Sequence, residues 1–211
     1  MNTTTQRQRG FTLIELLVVI SIILLLATFG LSKLLSAQRD AELATSKDRL
    51  GQIYLQLQRH ENAKRKLPSE SGSEFVLAIW GGRFLEKSAN NAQIFFDASM
   101  AMPELTDDNL DEEVTPEYIH WAGRNQADRA YRFARLTGKN ASKTVLVCNK
   151  PLVGGELPHQ GNLLCVLYAS GHVGEIDAAE FEVEEGEPLL IGPESPVEAL
   201  QGLIGDDADE Y

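Results

Sequence analysis

The N-terminal part of the chain is dominated by one long run of apolar residues. The 22 residues from Phe11 to Ser32 carry a single charge, at Glu15, and residues 16–32 carry none. At about 1.5 Å per residue, a helix of this length reaches about 33 Å, enough to cross the hydrocarbon core of a bilayer. The pattern predicts a membrane-spanning helix over residues 11–35.

Past residue 35 the apolar positions become periodic. Leu43, Leu50 and Leu57 recur every seven residues, and charged residues occupy most positions around them. This spacing is typical of a helix that buries one face. No proline occurs before Pro68, so an amphipathic extension of the first helix is predicted over residues 36–67.

Strand patterns occur later in the chain. A short helix is predicted at 74–80, and apolar runs rich in β-branched and aromatic residues predict strands at 118–121, 144–148, 162–168 and 172–176. Ser170-Gly171 lies between the last two runs and favours a hairpin turn. The predicted fold is therefore α+β: a long N-terminal helix packed on a small antiparallel sheet, with residues 68–177 forming the folded domain. Arg7 and Arg9 before the apolar run favour a cytoplasmic N-terminus, which makes this domain extracytoplasmic.

Charge is distributed unevenly along the chain. The formal net charge of the 211 residues is −12, and no Lys or Arg follows Lys150. The acidic residues 178–211, which are also punctuated by Gly and Pro, are predicted to form a mostly flexible tail with a short helix at 197–204. Because general nucleic-acid binders need a basic surface, the net charge argues against nucleic acid as a partner.

A short motif stands at the start of the apolar run. The sequence GFTLIE at residues 10–15 follows a short leader that contains Arg7 and Arg9. It resembles the processing site of type IV prepilins and type II secretion pseudopilins. The resemblance implies that residues 1–10 are a leader, that the prepilin peptidase cleaves between Gly10 and Phe11, that Phe11 is then N-methylated, and that Glu15 serves filament assembly.

Glu15 separates this interpretation from two others. A secretory signal peptide has a shorter apolar core and a small-x-small cleavage site, and a plain signal anchor fits the length and charge of the segment. Neither explains a carboxylate inside the apolar run. An acid in such a position normally has a partner or a function. The partner expected after cleavage is the amine of Phe11, on the same chain or on an adjacent subunit.

A second resemblance lies near the C-terminus. Residues 159–173 read HQGNLLCVLYASGHV, similar to the C-terminal processing-associated motif of a pseudopilin-like subfamily, a His followed by nine residues and Asp-Gly-His-Val. Here the spacer after His159 has ten residues, and Ser170 replaces the Asp. A hairpin with its turn accounts for the same residues. His159 and His172 are predicted to be turn or surface histidines without a metal.

The two cysteines fall in neighbouring predicted strands. Cys148 and Cys165 would lie outside the cytoplasm, where a disulfide is permitted. Two buried thiols are the alternative, because free Cys is often a small core residue.

Other signals of chemistry are weak. Asp107, Asn109 and Asp111 have the spacing of a calcium loop, but Glu112 occupies the position that needs glycine. A solvated loop is the better interpretation. No nucleophile elbow, phosphate loop or zinc signature occurs in the sequence, so no cofactor and no enzymatic activity are predicted.

The predicted function is that of a structural subunit of a pseudopilus or type IV pilus-like fiber, within a type II secretion system that drives protein export. The implied partners are the prepilin peptidase, other pilin-like subunits, the secretion or pilus assembly machinery and the bacterial inner membrane, which a single pass would cross with the N-terminus cytoplasmic. One alternative is a minor pilin for DNA uptake or adhesion, which a basic cluster favours: Arg124, Arg129, Arg132, Arg135, Lys139 and Lys143. The other is a membrane-anchored enzyme.

Overall fold

The structure is a computed structural model and describes residues 11–138, 140–151, 157–159, 163–177 and 191–204. The chain divides into two units after Asp40. The first helix, α1, spans Leu13–Lys64, which confirms the predicted long helix. It ends where Arg65 adopts a left-handed backbone with φ 62°, three residues before Pro68.

The second unit is α+β, as predicted. Its helices α2 (Gly72–Leu77), α3 (Ala89–Ala92) and α4 (Leu110–Glu113) are short. The strands are β1 (Trp121–Arg124), β2 (Val145–Asn149), β3 (Leu163–Tyr168), β4 (Val173–Asp177) and β5 (Leu203–Ile204). They form one antiparallel sheet in the order β4-β3-β2-β1-β5.

The periodic face of α1 is buried in the main core. Leu50, Ile53 and Leu57 are fully buried and pack in one cluster with Phe75, Phe95 and Trp121 of the second unit. The seven-residue spacing thus marks the contact face, as predicted. Burying side chains of this size stabilises the fold by roughly 1.5–3 kcal/mol each.

Strand β1 begins three residues later than predicted. Tyr118 and Ile119 both direct their backbone N–H to the carbonyl of Thr115, so the chain turns there instead of extending. The other three predicted strands agree with β2, β3 and β4 to within a residue. The turn between β3 and β4 contains Gly171 at φ +86°, a conformation that favours glycine.

The predicted flexible tail is wrong for residues 191–204. Val197, Leu200 and Leu203 are buried in a second apolar cluster, together with Val166 and Ile176 of the sheet. The predicted helix at 197–204 is replaced by a 3-10 turn at Glu198–Leu200 and by β5, which pairs with β1. The sheet is therefore covered on the face opposite the main core. The remaining tail residues lie outside the described part.

Candidate functional site

The start of α1 is closed by a reciprocal pair of hydrogen bonds. The backbone N–H and the hydroxyl of Thr12 each donate to Oε2 of Glu15 at 2.8 Å, and the backbone N–H of Glu15 faces Thr12 Oγ1 at 3.3 Å. This is a capping box, in which the residue before the helix and the third helical residue satisfy each other's backbone donors. Glu15 thus has a partner within its own chain. Gly10 lies outside the described residues.

The apolar side chains around this cap are exposed. Of the described large hydrophobic side chains that are exposed, all but three lie between Phe11 and Leu35, with exposed fractions from 45% to 82%. So large an apolar surface marks an interaction site. Among the helices of the described residues, none is long and apolar enough to cross a membrane.

The β3–β4 hairpin packs against α1. A Cβ added to Gly171 would lie 2.6 Å from Cε1 of Tyr54, so only glycine allows the β3–β4 turn to sit this close to the Tyr54 ring. On the next strand, Glu175 forms an ion pair with Lys47 of α1. The hairpin interpretation of residues 163–177 is therefore correct, and its turn also forms a docking contact.

His159 is buried against an acid that the sequence did not single out. Its Nε2 lies 3.3 Å from Oδ2 of Asp97, and Asn149 also donates to that oxygen. The side-chain oxygen of Asn149 accepts the backbone N–H of Cys165 at 2.6 Å. The prediction of a surface or turn histidine is wrong for His159, because these contacts place it in a buried polar cluster at the ends of β2 and β3. His172 is exposed, as predicted, and stacks on Tyr168.

Asp97 is the centre of this cluster and stays ionised. Burial alone would raise its pKa, but hydrogen bonds from His159 and Ser99 and the charge of His159 lower it to about 2. Its own backbone N–H donates to Nδ1 of His120 at 2.9 Å. Beside it, Ser46 of α1 accepts the N–H of Ala98 at 3.1 Å. The cluster fixes the 97–99 loop to both α1 and the sheet.

A nucleophilic triad contains the same three side-chain types as Cys165, His159 and Asp97. The geometry of these three residues, however, is not that of a triad. A triad imidazole uses one ring nitrogen for the acid and the other for the nucleophile. Here Nε2 of His159 faces both, with Cys165 Sγ at 3.5 Å. Burial raises the pKa of the Cys165 thiol to about 12, which opposes formation of the reactive thiolate. The arrangement fits a packed polar cluster.

Of the two alternatives for the cysteines, a disulfide or two buried thiols, the structure has the buried thiols. Both cysteines are free and buried. Cys148 pairs with Val166 across the sheet, and because side chains alternate between faces, Cys165 points the other way. Cys148 therefore belongs to the cluster under residues 191–204, and Cys165 to the main core.

Some charged side chains of the acidic loop at 107–113 and of the basic cluster bind groups of the same chain. Asp107 accepts the N–H of Ala89, and Asp111 pairs with Lys87. Within the described ranges, no group of three His, Cys, Asp or Glu side chains is placed to hold a metal ion. In the basic cluster, the half-buried Arg124 donates to the carbonyl of Tyr131 at 2.6 Å. Lys139 lies outside the described residues.

Comparison with known proteins finds a match at the N-terminus of the chain. Residues 5–31 match the prokaryotic N-terminal methylation motif. No curated protein and no solved structure matches the chain. The matched residues include the capping box and most of the exposed apolar segment, and the match supports a type IV pilin-like protein.

Proposed function

We propose that the chain is a structural subunit of a pseudopilus or type IV pilus-like fiber that serves a type II secretion system. The observation that carries the proposal is the methylation motif at residues 5–31, which coincides with an exposed apolar helix. Prepilin peptidase would remove residues 1–10 by cleavage after Gly10, and Phe11 would become the N-methylated terminus. The folded second unit would then lie outside the inner membrane.

The exposed apolar surface supports two successive environments for residues 11–35. Before assembly, the segment would lie in the inner membrane, with the leader cytoplasmic because of Arg7 and Arg9. In the fiber, the same side chains would pack on the helices of neighbouring subunits. Both environments remove the exposed side chains of α1 from water, which is the main driving force for such packing.

Glu15 would set the axial position of each subunit. The amine of Phe11 on a neighbouring copy is a positive group, and the start of a helix adds partial positive charge. The capping box holds the Glu15 carboxylate at the helix start with one oxygen, Oε2, occupied by Thr12. The carboxylate retains lone pairs for a second partner.

Cysteine cross-linking within the apolar segment tests the fiber. A Leu24→Cys variant of the full chain, expressed with active prepilin peptidase, should form disulfide-linked copies in the membrane and in sheared surface material. A Lys143→Cys variant, which carries its cysteine at an exposed position of the folded unit, is the control for random collision. Equal cross-linking of the two variants would contradict a helix-packed fiber.

A further inference from the structure

Exposed cations surround the end of α1. The backbone N–H of Leu67 donates to the carbonyl of Ala134 at 3.0 Å, and Nζ of Lys64 lies 5.7 Å from the centre of the Phe84 ring. These contacts bring three segments of the chain together. We call their cationic side chains, all of them exposed, the basic end: Arg59, Lys64, Arg65, Lys66, Arg83, Arg132 and Arg135.

Two acids close to the basic end accept hydrogen bonds from the backbone. Glu61 accepts the N–H of Leu136 at 3.3 Å, and Glu70 accepts the N–H of Ser69 at 2.7 Å. The cations outnumber these carboxylates, so the surface is positive on a chain whose net charge is −12. A positive surface on a negative protein favours a partner that presents acidic groups in a matching area.

The same chain carries an acidic surface of that kind. No Lys or Arg occurs from Ser88 to Gly123. We call residues 104–117 the acidic segment; its carboxylates are Glu104, Asp107, Asp108, Asp111, Glu112, Glu113 and Glu117. Asp111 pairs with Lys87. The acidic segment precedes the start of β1, whereas the loop that holds Arg132 follows the end of β1.

Exposed apolar side chains accompany both surfaces. From Ala41 onward, the described large hydrophobic side chains that are exposed are Leu55, Met102 and Tyr118, at 53%, 42% and 53%. Leu55 lies one helical turn before Arg59, and the other two flank the acidic segment. Tyr, Met and Arg are enriched in protein interfaces. This combination favours a protein partner over a nucleic acid, which the rest of this acidic chain would repel.

We propose that the basic end of one copy docks on the acidic segment of a second copy. Because different surfaces of the two copies meet, the contact is heterologous, and its repetition produces an open fiber when the rotation does not close. The inference rests on the proposed function as a fiber subunit. It adds the surfaces through which the folded units of neighbouring subunits recognise each other.

Paired cysteines test the contact. One full-length chain carries Ala63→Cys at the basic end, and a second full-length chain carries Thr106→Cys in the acidic segment. Both positions are exposed. The two chains are expressed together with active prepilin peptidase. We expect a disulfide between the two variants when both are expressed in the same cells, and little when either is expressed alone. Buried Cys148 and Cys165 should not contribute, and their protection from alkylation shows that each variant is folded.

Charge reversal supplies the control. Arg59→Glu with Arg132→Glu on the Ala63→Cys chain should lower the cross-linked fraction by about fivefold, the effect of removing exposed ion pairs. Arg129→Glu with Lys143→Glu reverses two exposed cations outside the basic end and should change it little. Asp108→Lys with Glu112→Lys on the partner chain should restore the cross-link.

Three results would overturn the proposal. One is equal cross-linking when Ala63→Cys is expressed alone, since that indicates a symmetric contact. Another is no cross-link between the two surfaces while Leu24→Cys chains still cross-link, which leaves the fiber in place and removes this contact. The third is binding of a labelled DNA duplex that the basic-end reversals abolish, without cross-linking between copies.

Discussion

The carboxylate of Glu15 accepts two hydrogen bonds from Thr12, one from its backbone N–H and one from its hydroxyl, each at 2.8 Å. The acid therefore stabilises the start of α1 whether or not subunits assemble. Glu15 therefore has a capping role beside its proposed role in assembly. Experiments can separate the two roles, because only capping needs the Thr12 hydroxyl.

Loss of the Glu15 carboxylate should block assembly. We expect Glu15→Ala chains to be inserted and cleaved normally, because removing a charge from the apolar segment eases insertion, yet to be absent from fibers. The readout is cross-linking through Leu24→Cys together with a processing assay. Efficient cross-linking of the Glu15→Ala chains would contradict this role.

Thr12→Ala is the matched control for capping. It removes the hydroxyl but retains the carboxylate, and losing such a cap costs about 1 kcal/mol of helix stability. We expect Thr12→Ala chains to assemble more efficiently than Glu15→Ala chains. Equal loss in the two variants would mean that the helix cap, and not the acid's contact with a neighbour, is what assembly needs.

The cysteines should react as free thiols. In the folded full chain, neither Cys148 nor Cys165 should be alkylated, since both are fully buried. After unfolding without reductant, both should be labelled, and mass spectrometry counts the added groups. Labelling that requires a reductant as well as unfolding would show that the two are bridged.

Acid should weaken the fold through Asp97. Its pKa is lowered from 3.8 to about 2 in the folded chain, so the ionised form stabilises the fold above the unfolded pKa. That contribution, about 2 kcal/mol from the shift, is lost as pH falls from about 4 to about 2.

Comparison of the wild type with Asp97→Asn isolates this effect. Urea unfolding of the full chain in detergent, at several pH values between 6 and 2, measures the free energy of unfolding of each protein. The variant should be less stable at pH 6, and the difference should shrink as the pH approaches 2. A difference that does not change with pH would contradict the ionised Asp97.

The Gly171 turn should not tolerate a side chain. A Cβ at Gly171 would lie 2.6 Å from the Tyr54 ring, whereas one at Gly82, which also has positive φ, would meet nothing within 4 Å. Both Gly→Ala changes impose backbone strain of order 1–3 kcal/mol, but only Gly171→Ala adds the clash. Thermal unfolding should show a larger loss for Gly171→Ala, and equal losses would show that the turn does not pack on Tyr54.

Features that depend on residues close together in the sequence were predictable. The buried face of α1 repeats every seven residues, and strands β2 to β4 are continuous apolar runs. Strand β5 was missed because a two-residue strand has no pattern of its own, and its pairing with β1 depends on the distant burial of Val197 and Leu200.

The buried polar cluster was missed for a related reason. In the sequence, Asp97 lies 52 residues before Asn149 and 62 residues before His159. The three side chains meet only once the sheet is assembled. The cysteines show the same limit, because the strand assignments were correct but the register that places Cys148 and Cys165 on opposite faces is set by tertiary packing. The cap at Thr12 and Glu15, by contrast, is local, and its spacing is visible in the sequence.

The N-terminus of the mature protein tests the central claim most directly. The full chain should be purified from membranes of cells with active prepilin peptidase, digested, and its N-terminal peptide identified by mass spectrometry. A pilin-like subunit should begin at Phe11 and carry one methyl group on its amine, and cells without the peptidase should yield the uncut chain. An unprocessed N-terminus beginning at Met1, in cells where the peptidase is active, would contradict the account.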